Sequence, residues 1–350
     1  MASLPGSLHN PSANRLQPSS SQYKRGLWMS DGNVVLRCEH FECRVHRGVL
    51  SMHSPVFERL FAEHEAKLVP DIETIESSAP SSALSSGPSV LVLDLPDKAE
   101  DILNLLNALY LRRHFQPGKP YTLLTLSSLL RSSTKYAVSR LRNDVISHLE
   151  ILFPSTLDAY VSDDRKALTP VDYHPILAVN MAEENDVKSI MPVAYYECSL
   201  LKIEELFDGF VLQMASADSE GDSQGKDAEV KEEIRVELPP SARRKCLKGR
   251  DMLLRLYHTM ADVSLWGKRE GFGRISCEDE LSCVGAVAEL AYEAHAGRYW
   301  DPSHNILKKG AMSAQGETVF LCEHCQWHME QAEEKGKNLL WNELPRLYGI

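Results

Sequence analysis

The residues of this chain best suited to chemistry are its cysteines, eight in all, at positions 38, 43, 198, 246, 277, 283, 322 and 325. Cys322-x2-Cys325 follows Val319-Phe-Leu321, read as a short strand, and precedes a polar helix from about Trp327. Cys277-x5-Cys283 lies upstream, in a loop before a helix predicted over 284–295. Tetrahedral zinc takes four thiolate or imidazole ligands, and two cysteines separated by two residues reach one metal because the turn between them brings both sulfurs together. The first reading is therefore one structural zinc held by Cys277, Cys283, Cys322 and Cys325, with Cys246, His324 and His328 as substitute ligands. Strand, Cys-x2-Cys, helix is also the layout of a thioredoxin-like redox motif. Only 25 residues follow Cys325, too few for the remainder of such a fold. The third reading is a set of buried thiols.

Other chemistry finds little purchase. His46 stands between Arg44 and Arg47 near Cys43, yet no oriented third group or glycine-rich turn accompanies it, so it reads as a strand-end residue rather than a catalytic one. Gly-x-Ser-x-Gly and Gly-x-Gly-x-x-Gly are absent, and Gly271-Phe-Gly273 stands alone where a phosphate cradle needs a strand before it and a helix after it. No catalytic residue is assigned. Arg243-Arg-Lys-Cys-Leu-Lys-Gly-Arg250 holds five cations and no carboxylate. It reads either as an import signal or nucleic-acid patch, or as the solvated start of a helix carrying Met252, Leu253, Leu254 and Leu256.

The elements that must position these residues follow from composition and pattern. The 350 residues carry 38 Lys+Arg against 49 Asp+Glu, a net charge of −11, with 43% apolar residues. That supplies cores for two domains and argues against a general basic surface for nucleic acid. No stretch is long and apolar enough for a membrane helix, and the N-terminus lacks the core of a secretory signal, so an intracellular protein of cytoplasm or nucleus is expected. Residues 1–26 read as a disordered arm, and a Ser/Pro-rich stretch at about 70–88 as a surface insertion in a domain spanning 27–155. A helical region covers 156–215. Residues 216–240 read as an acidic flexible linker, since Ser216–Glu233 carries seven carboxylates against two lysines, and 241–350 as a helical C-terminal domain with the cysteines. Within 27–155, strands are predicted at 33–37, 40–46 and 90–95. Helices are predicted at 47–53, from Pro55 behind an N-cap at Ser54, from a capping box at Asp97–Glu100, and at about 122–136 and 140–152.

Phe41-Glu-Cys-Arg-Val-His-Arg-Gly-Val-Leu-Ser-Met-His-Ser-Pro-Val-Phe-Glu-Arg-Leu-Phe61 resembles the signature of BTB/POZ domains, through His46, Leu50, Ser54, Phe57, Leu60 and Phe61. The downstream segments Ile190–Cys198, Cys246–Asp251, Cys322–Cys325 and Trp341–Gly349 resemble the Cys-bearing helical tail of BTB proteins expanded in mushroom-type fungi. The resemblance implies an α+β fold: a helical cluster capped by a small β-sheet, then a mainly helical Cys-bearing domain. It implies a non-catalytic module that homodimerises and recruits partner proteins, in transcriptional or signalling regulation. If Leu50 faces the core, Val49 and Met52 face the other side of their helix and become the candidate dimer contact. Two departures stand out. Asn33 occupies the place of the usual Asp, with Asp31 two residues earlier, and Ala62–Leu68 lacks the turn that adaptors of cullin-type ubiquitin ligases carry. Such an adaptor is the second functional reading, and a redox or metal-dependent enzyme using the Cys-x2-Cys site the third.

Overall fold

The computed structural model describes residues 24–64, 68–70, 89–111, 114–214, 232–261, 277–295, 305, 307 and 321–350. The chain divides into two compact units, Met1–Leu111 and Arg112–Ile350. Nearly all of the arm, of the insertion and of Ser216–Glu233 lies outside the described residues, and so do Val319 and Phe320 of the strand expected before Cys322; Leu321 itself is not in a strand.

In the first unit, β2 (Val34–Cys38) and β3 (Phe41–Val45) form an antiparallel hairpin with Leu36 opposite Cys43. β5 (Ser89–Asp94) lies parallel to β2, β4 (Leu68–Pro70) antiparallel to β5, and β1 (Lys24–Trp28) parallel to β3, so the sheet order is β1-β3-β2-β5-β4. Among the described residues of this unit three helices accompany the sheet: α1 (Arg47–His53), α2 (Pro55–His64) and α3 (Ala99–Tyr110). Leu36, Cys43, Leu50, Phe57, Leu91, Ile102 and Leu105 are completely buried, each large side chain stabilising the unit by about 1.5–3 kcal/mol. β1 reaches into the arm expected at 1–26. Its sequence, Lys-Arg-Gly-Leu-Trp, shows no alternation, and it becomes a strand because β3 offers a free edge. Gly26 permits this approach: a Cβ there would lie 2.5 Å from Leu103 and 2.8 Å from Cys43.

The tight turn between β2 and β3 puts Glu39 at φ 48°, and its carboxylate accepts the Ala99 N–H at 2.9 Å. That contact caps α3 from another element, so the helix begins at Ala99 with Lys98 in the cap position, one residue later than the Asp97 capping box predicts.

The second unit opens with α4 (Leu123–Lys135) and α5 (Ser139–Leu152), which the sequence reading places in the 27–155 domain. They group with the C-terminal unit because Asp172 accepts the Leu123 and Leu124 N–H groups, and Arg142 donates to the Asn185 carbonyl. The helices α6 (Leu157–Tyr160), α7 (Asp163–Leu168), α8 (Pro175–Glu184), α9 (Met191–Ser199) and α10 (Ile203–Asp208) follow. A hairpin of β6 (Phe210–Met214) and β7 (Glu232–Val236) comes next, then α11 (Pro240–Ala261), α12 (Glu280–His295) and α13 (Glu323–Tyr348). β7 falls inside the expected 216–240 linker, where Leu212 pairs with Ile234 and Phe210 with Val236 across the ladder; Phe210 anchors the hairpin by stacking on His174 at 3.6 Å. The core of this unit gathers α9, α11 and α13 around Tyr195, Tyr196 and Tyr348, with Tyr348 Oη donating to Ser199 Oγ at 3.0 Å.

The basic run 243–250 lies in the opening turns of α11, as the helix-start reading expects. Lys245 is 2.8 Å from Glu183, Arg243 lies over the Phe207 ring, Arg250 donates to the Ser199 and Leu201 carbonyls, and Cys246 is fully buried. A tract so engaged in its own fold is not displayed as an extended signal.

Candidate metal centre and interaction face

Helix starts build the cysteine cluster. Asp279 Oδ1 accepts the Ser282 N–H at 3.1 Å, an N-cap arrangement that opens α12 and sets Cys283 in its first turn. Cys322 occupies the N-cap position of α13, which starts at Glu323 rather than near Trp327, and this sets Cys325 in that helix's first turn. Helix N-termini favour negative charge, which suits a thiolate at Cys322.

The four sulfurs of Cys277, Cys283, Cys322 and Cys325 lie within 4.8 Å of one another. Cys277 and Cys322 are 3.8 Å apart, and Cys277 and Cys325 are 3.6 Å apart. Four sulfurs on a tetrahedral zinc at the usual bond length stand ~3.8 Å apart along each edge, so these spacings suit that metal. The Cys322 N–H donates to Cys283 Sγ at 3.3 Å. Backbone N–H groups of Glu278 and Cys325 lower the Cys322 thiol from 9.0 to about 6, while burial raises Cys283. The cluster can hold a metal, and all four residues singled out from the sequence are brought together. The substitutes are not among them. Cys246 is buried beside the Ser199 hydroxyl, and the His324 and His328 rings pack on each other with centroids 4.5 Å apart.

The remaining thiols are structural in setting. Cys38, Cys43 and Cys198 are buried, and burial pushes Cys38 up to about 12, the opposite of what a nucleophile requires.

In the first unit each signature residue has a local task. Ser54 Oγ accepts the Phe57 N–H at 3.0 Å and caps α2, while Phe57 and Phe61 stack at 5.8 Å. Leu50 is fully buried and Leu60 half-buried. His46 joins sheet to helix: its ring lies 3.2 Å from Asp31, and its N–H donates to Tyr110 Oη at 2.8 Å. The His46 hydrogen bond holds the Asp31 carboxyl below its usual value. Asn33, at the place of the usual Asp, accepts the Arg47 N–H at 2.8 Å and so caps α1. On the outward side of α1, Met52 is 74% exposed and Val49 half-buried. Sequence reasoning missed Glu39 as the cap of α3, because a carboxylate sixty residues away carries no local signal. It also missed Asp279, whose Asp-x-x-Ser spacing before an apolar run was legible.

Residues 28–85 match the family model described as the BTB/POZ domain. No curated protein and no solved structure matches the chain. With its small sheet and helices in an α+β arrangement, and a mainly helical region after it, the chain carries a BTB/POZ domain at residues 28–85.

Proposed function

We propose that this protein is a non-catalytic interaction module that homodimerises through α1 of its BTB domain and recruits other proteins. BTB domains mediate dimerisation and the binding of other proteins, which supports the reading at the level of class. The observation that carries it further is Met52, a large apolar side chain 74% exposed next to half-buried Val49, on the face of α1 opposite fully buried Leu50. Among the described residues no helix is long and apolar enough to cross a membrane, and an excess of eleven negative charges disfavours nucleic acid. The expected occupants are proteins. The full chain should sediment as a dimer at tens of micromolar, on the order of common dimer affinities. Charged residues at both positions, Val49→Asp and Met52→Asp, should weaken that dimer by several kcal/mol by placing unpaired charge in a closed contact. A monomeric parent chain rejects the reading, and recovery of a cullin with the purified protein from its native cell would replace the general module by a ubiquitin-ligase adaptor.

The cysteine cluster supports a second element, one structural zinc held by Cys277, Cys283, Cys322 and Cys325. Sulfur spacings close to a tetrahedral edge, together with N–H donors aimed at Cys283 and Cys322, favour it over a redox pair. Four thiolates close the coordination sphere and leave no position for a water to be activated, so the metal contributes folding energy rather than chemistry. Protein purified without chelator should contain about one zinc per chain. Absence of metal, or unchanged thermal stability in Cys277→Ser and Cys322→Ser, rejects the site.

A further inference from the structure

We infer that the surface around the cysteine cluster is a docking face for a basic polypeptide segment carrying large apolar side chains. Three large apolar residues stand open there: Leu281 is 89% exposed, Trp327 55% and Val284 48%. Each is one or two residues from a cysteine of the cluster, so its Cα lies within about 8 Å of a cysteine Cα, and the four cysteines share one small volume. Gly285 beside Val284 has open space where a Cβ would stand, and Ala288 one turn on is exposed, so the outward side of α12 continues as an apolar strip.

Charge names the occupant. Glu278, Asp279, Glu280, Glu289, Glu323 and Glu330 are all exposed, and neither 277–289 nor 321–334 contains a lysine or arginine. On the zinc reading, from which this proposal borrows one term, four thiolates around a divalent cation add a net charge of −2 at the centre of the same surface. A second copy of this chain would set two such fields against each other and is disfavoured. A partner with lysines or arginines flanking leucine-like or aromatic anchors gains on both counts: the apolar residues close over Leu281, Val284 and Trp327, while the cations meet the carboxylate rim. This contact is separate from α1 of the BTB domain.

The test uses the full chain as purified, its zinc content measured first, and three synthetic helix-forming peptides. One carries lysine opposite leucine, one glutamate opposite leucine, and one lysine opposite serine. The lysine/leucine peptide should bind, and more weakly as salt is raised. The Leu281→Ser/Trp327→Ser double variant, with zinc content and melting temperature unchanged, should lose about tenfold or more in affinity. Met52→Asp should leave binding intact. Equal binding by the lysine/serine peptide would reduce the surface to bulk charge and overturn the proposal, as would a double variant that binds like the parent. Should the double variant instead lower the oligomeric state of the chain, the occupant is a second copy and the proposal fails. A chain that binds the peptide through Leu281 and Trp327 yet contains no zinc separates the two ideas: the docking face stands and the metal reading falls.

Discussion

At the scale of single residues, burial sets the chemistry. His174 stacks on Phe210 at 3.6 Å while its Nδ1 accepts the Ile176 N–H, and burial lowers its pKa from 6.5 to about 4. A histidine depressed in the fold binds fewer protons there than in the unfolded chain between these two values. Its contribution is therefore complete above pH 6.5 and is lost as the pH falls toward 4. Because the ring is partly exposed, the loss should be about 2 kcal/mol rather than the full shift. Denaturant unfolding at pH 7.5 and pH 4.5, in the parent and in His174→Asn, checks this: the variant should be less stable at pH 7.5 and lose less on acidification. Equal losses in the two proteins would show that His174 titrates as it does in the unfolded chain. The same scale separates the cysteines. Cys38 and Cys322 have identical side chains, yet burial raises one thiol while backbone N–H donors lower the other.

At the scale of elements, close approach and capping explain where helices begin and meet. Gly249 lies in the interior of α11, where alanine is ordinarily preferred to glycine by about 1 kcal/mol. A Cβ at this position would sit 2.2 Å from the Tyr348 ring, so the glycine lets α11 and α13 touch. Gly249→Ala should accordingly destabilise the second unit by about 1–3 kcal/mol through overpacking, the reverse of the helix-propensity expectation, as read from its thermal unfolding. A higher melting temperature would mean that Tyr348 yields without cost. Caps show the same division between local and distant causes. Ser54 before Pro55 caps α2 from its own sequence, α3 borrows Glu39 from the β2–β3 turn, and α4 has both, its own Thr122 accepting the Thr125 N–H and Asp172 accepting those of Leu123 and Leu124.

At the scale of the whole molecule, two compact units separated near residue 111 make selective unfolding possible. The proposed zinc ties the loop before α12 to the start of α13, segments 39 residues apart between Cys283 and Cys322. Metal affinity is then folding free energy for residues 241–350. Removal of the metal by a chelator should lower the melting transition of that region and leave the BTB transition in place, which calorimetry with hydrogen exchange across both units would show. Loss of both transitions together would mean that the units fold as one.

Periodicity and spacing in the sequence determined the β2–β3 hairpin, α1 and α2, and the BTB resemblance, because each rests on contacts within a few residues: the alternation of Phe41, Cys43 and Val45, Ser54 before Pro55, and the stripe of Phe57, Leu60 and Phe61. The four cysteines were legible as ligand types with two suitable spacings, but their meeting within 4.8 Å depends on α12 and α13 being brought together. Only tertiary structure made β1 and β7 strands, since an edge strand needs a neighbour's unpaired backbone groups more than a pattern of its own. Only tertiary structure assigned α4 and α5 to the second unit, because the carboxylate of Asp172 and the carbonyl of Asn185 that hold them lie more than forty residues away. The exposure of Met52, Leu281 and Trp327 was decided in the same way: an apolar residue in a sequence is equally fit for core or surface until the neighbouring elements are in place.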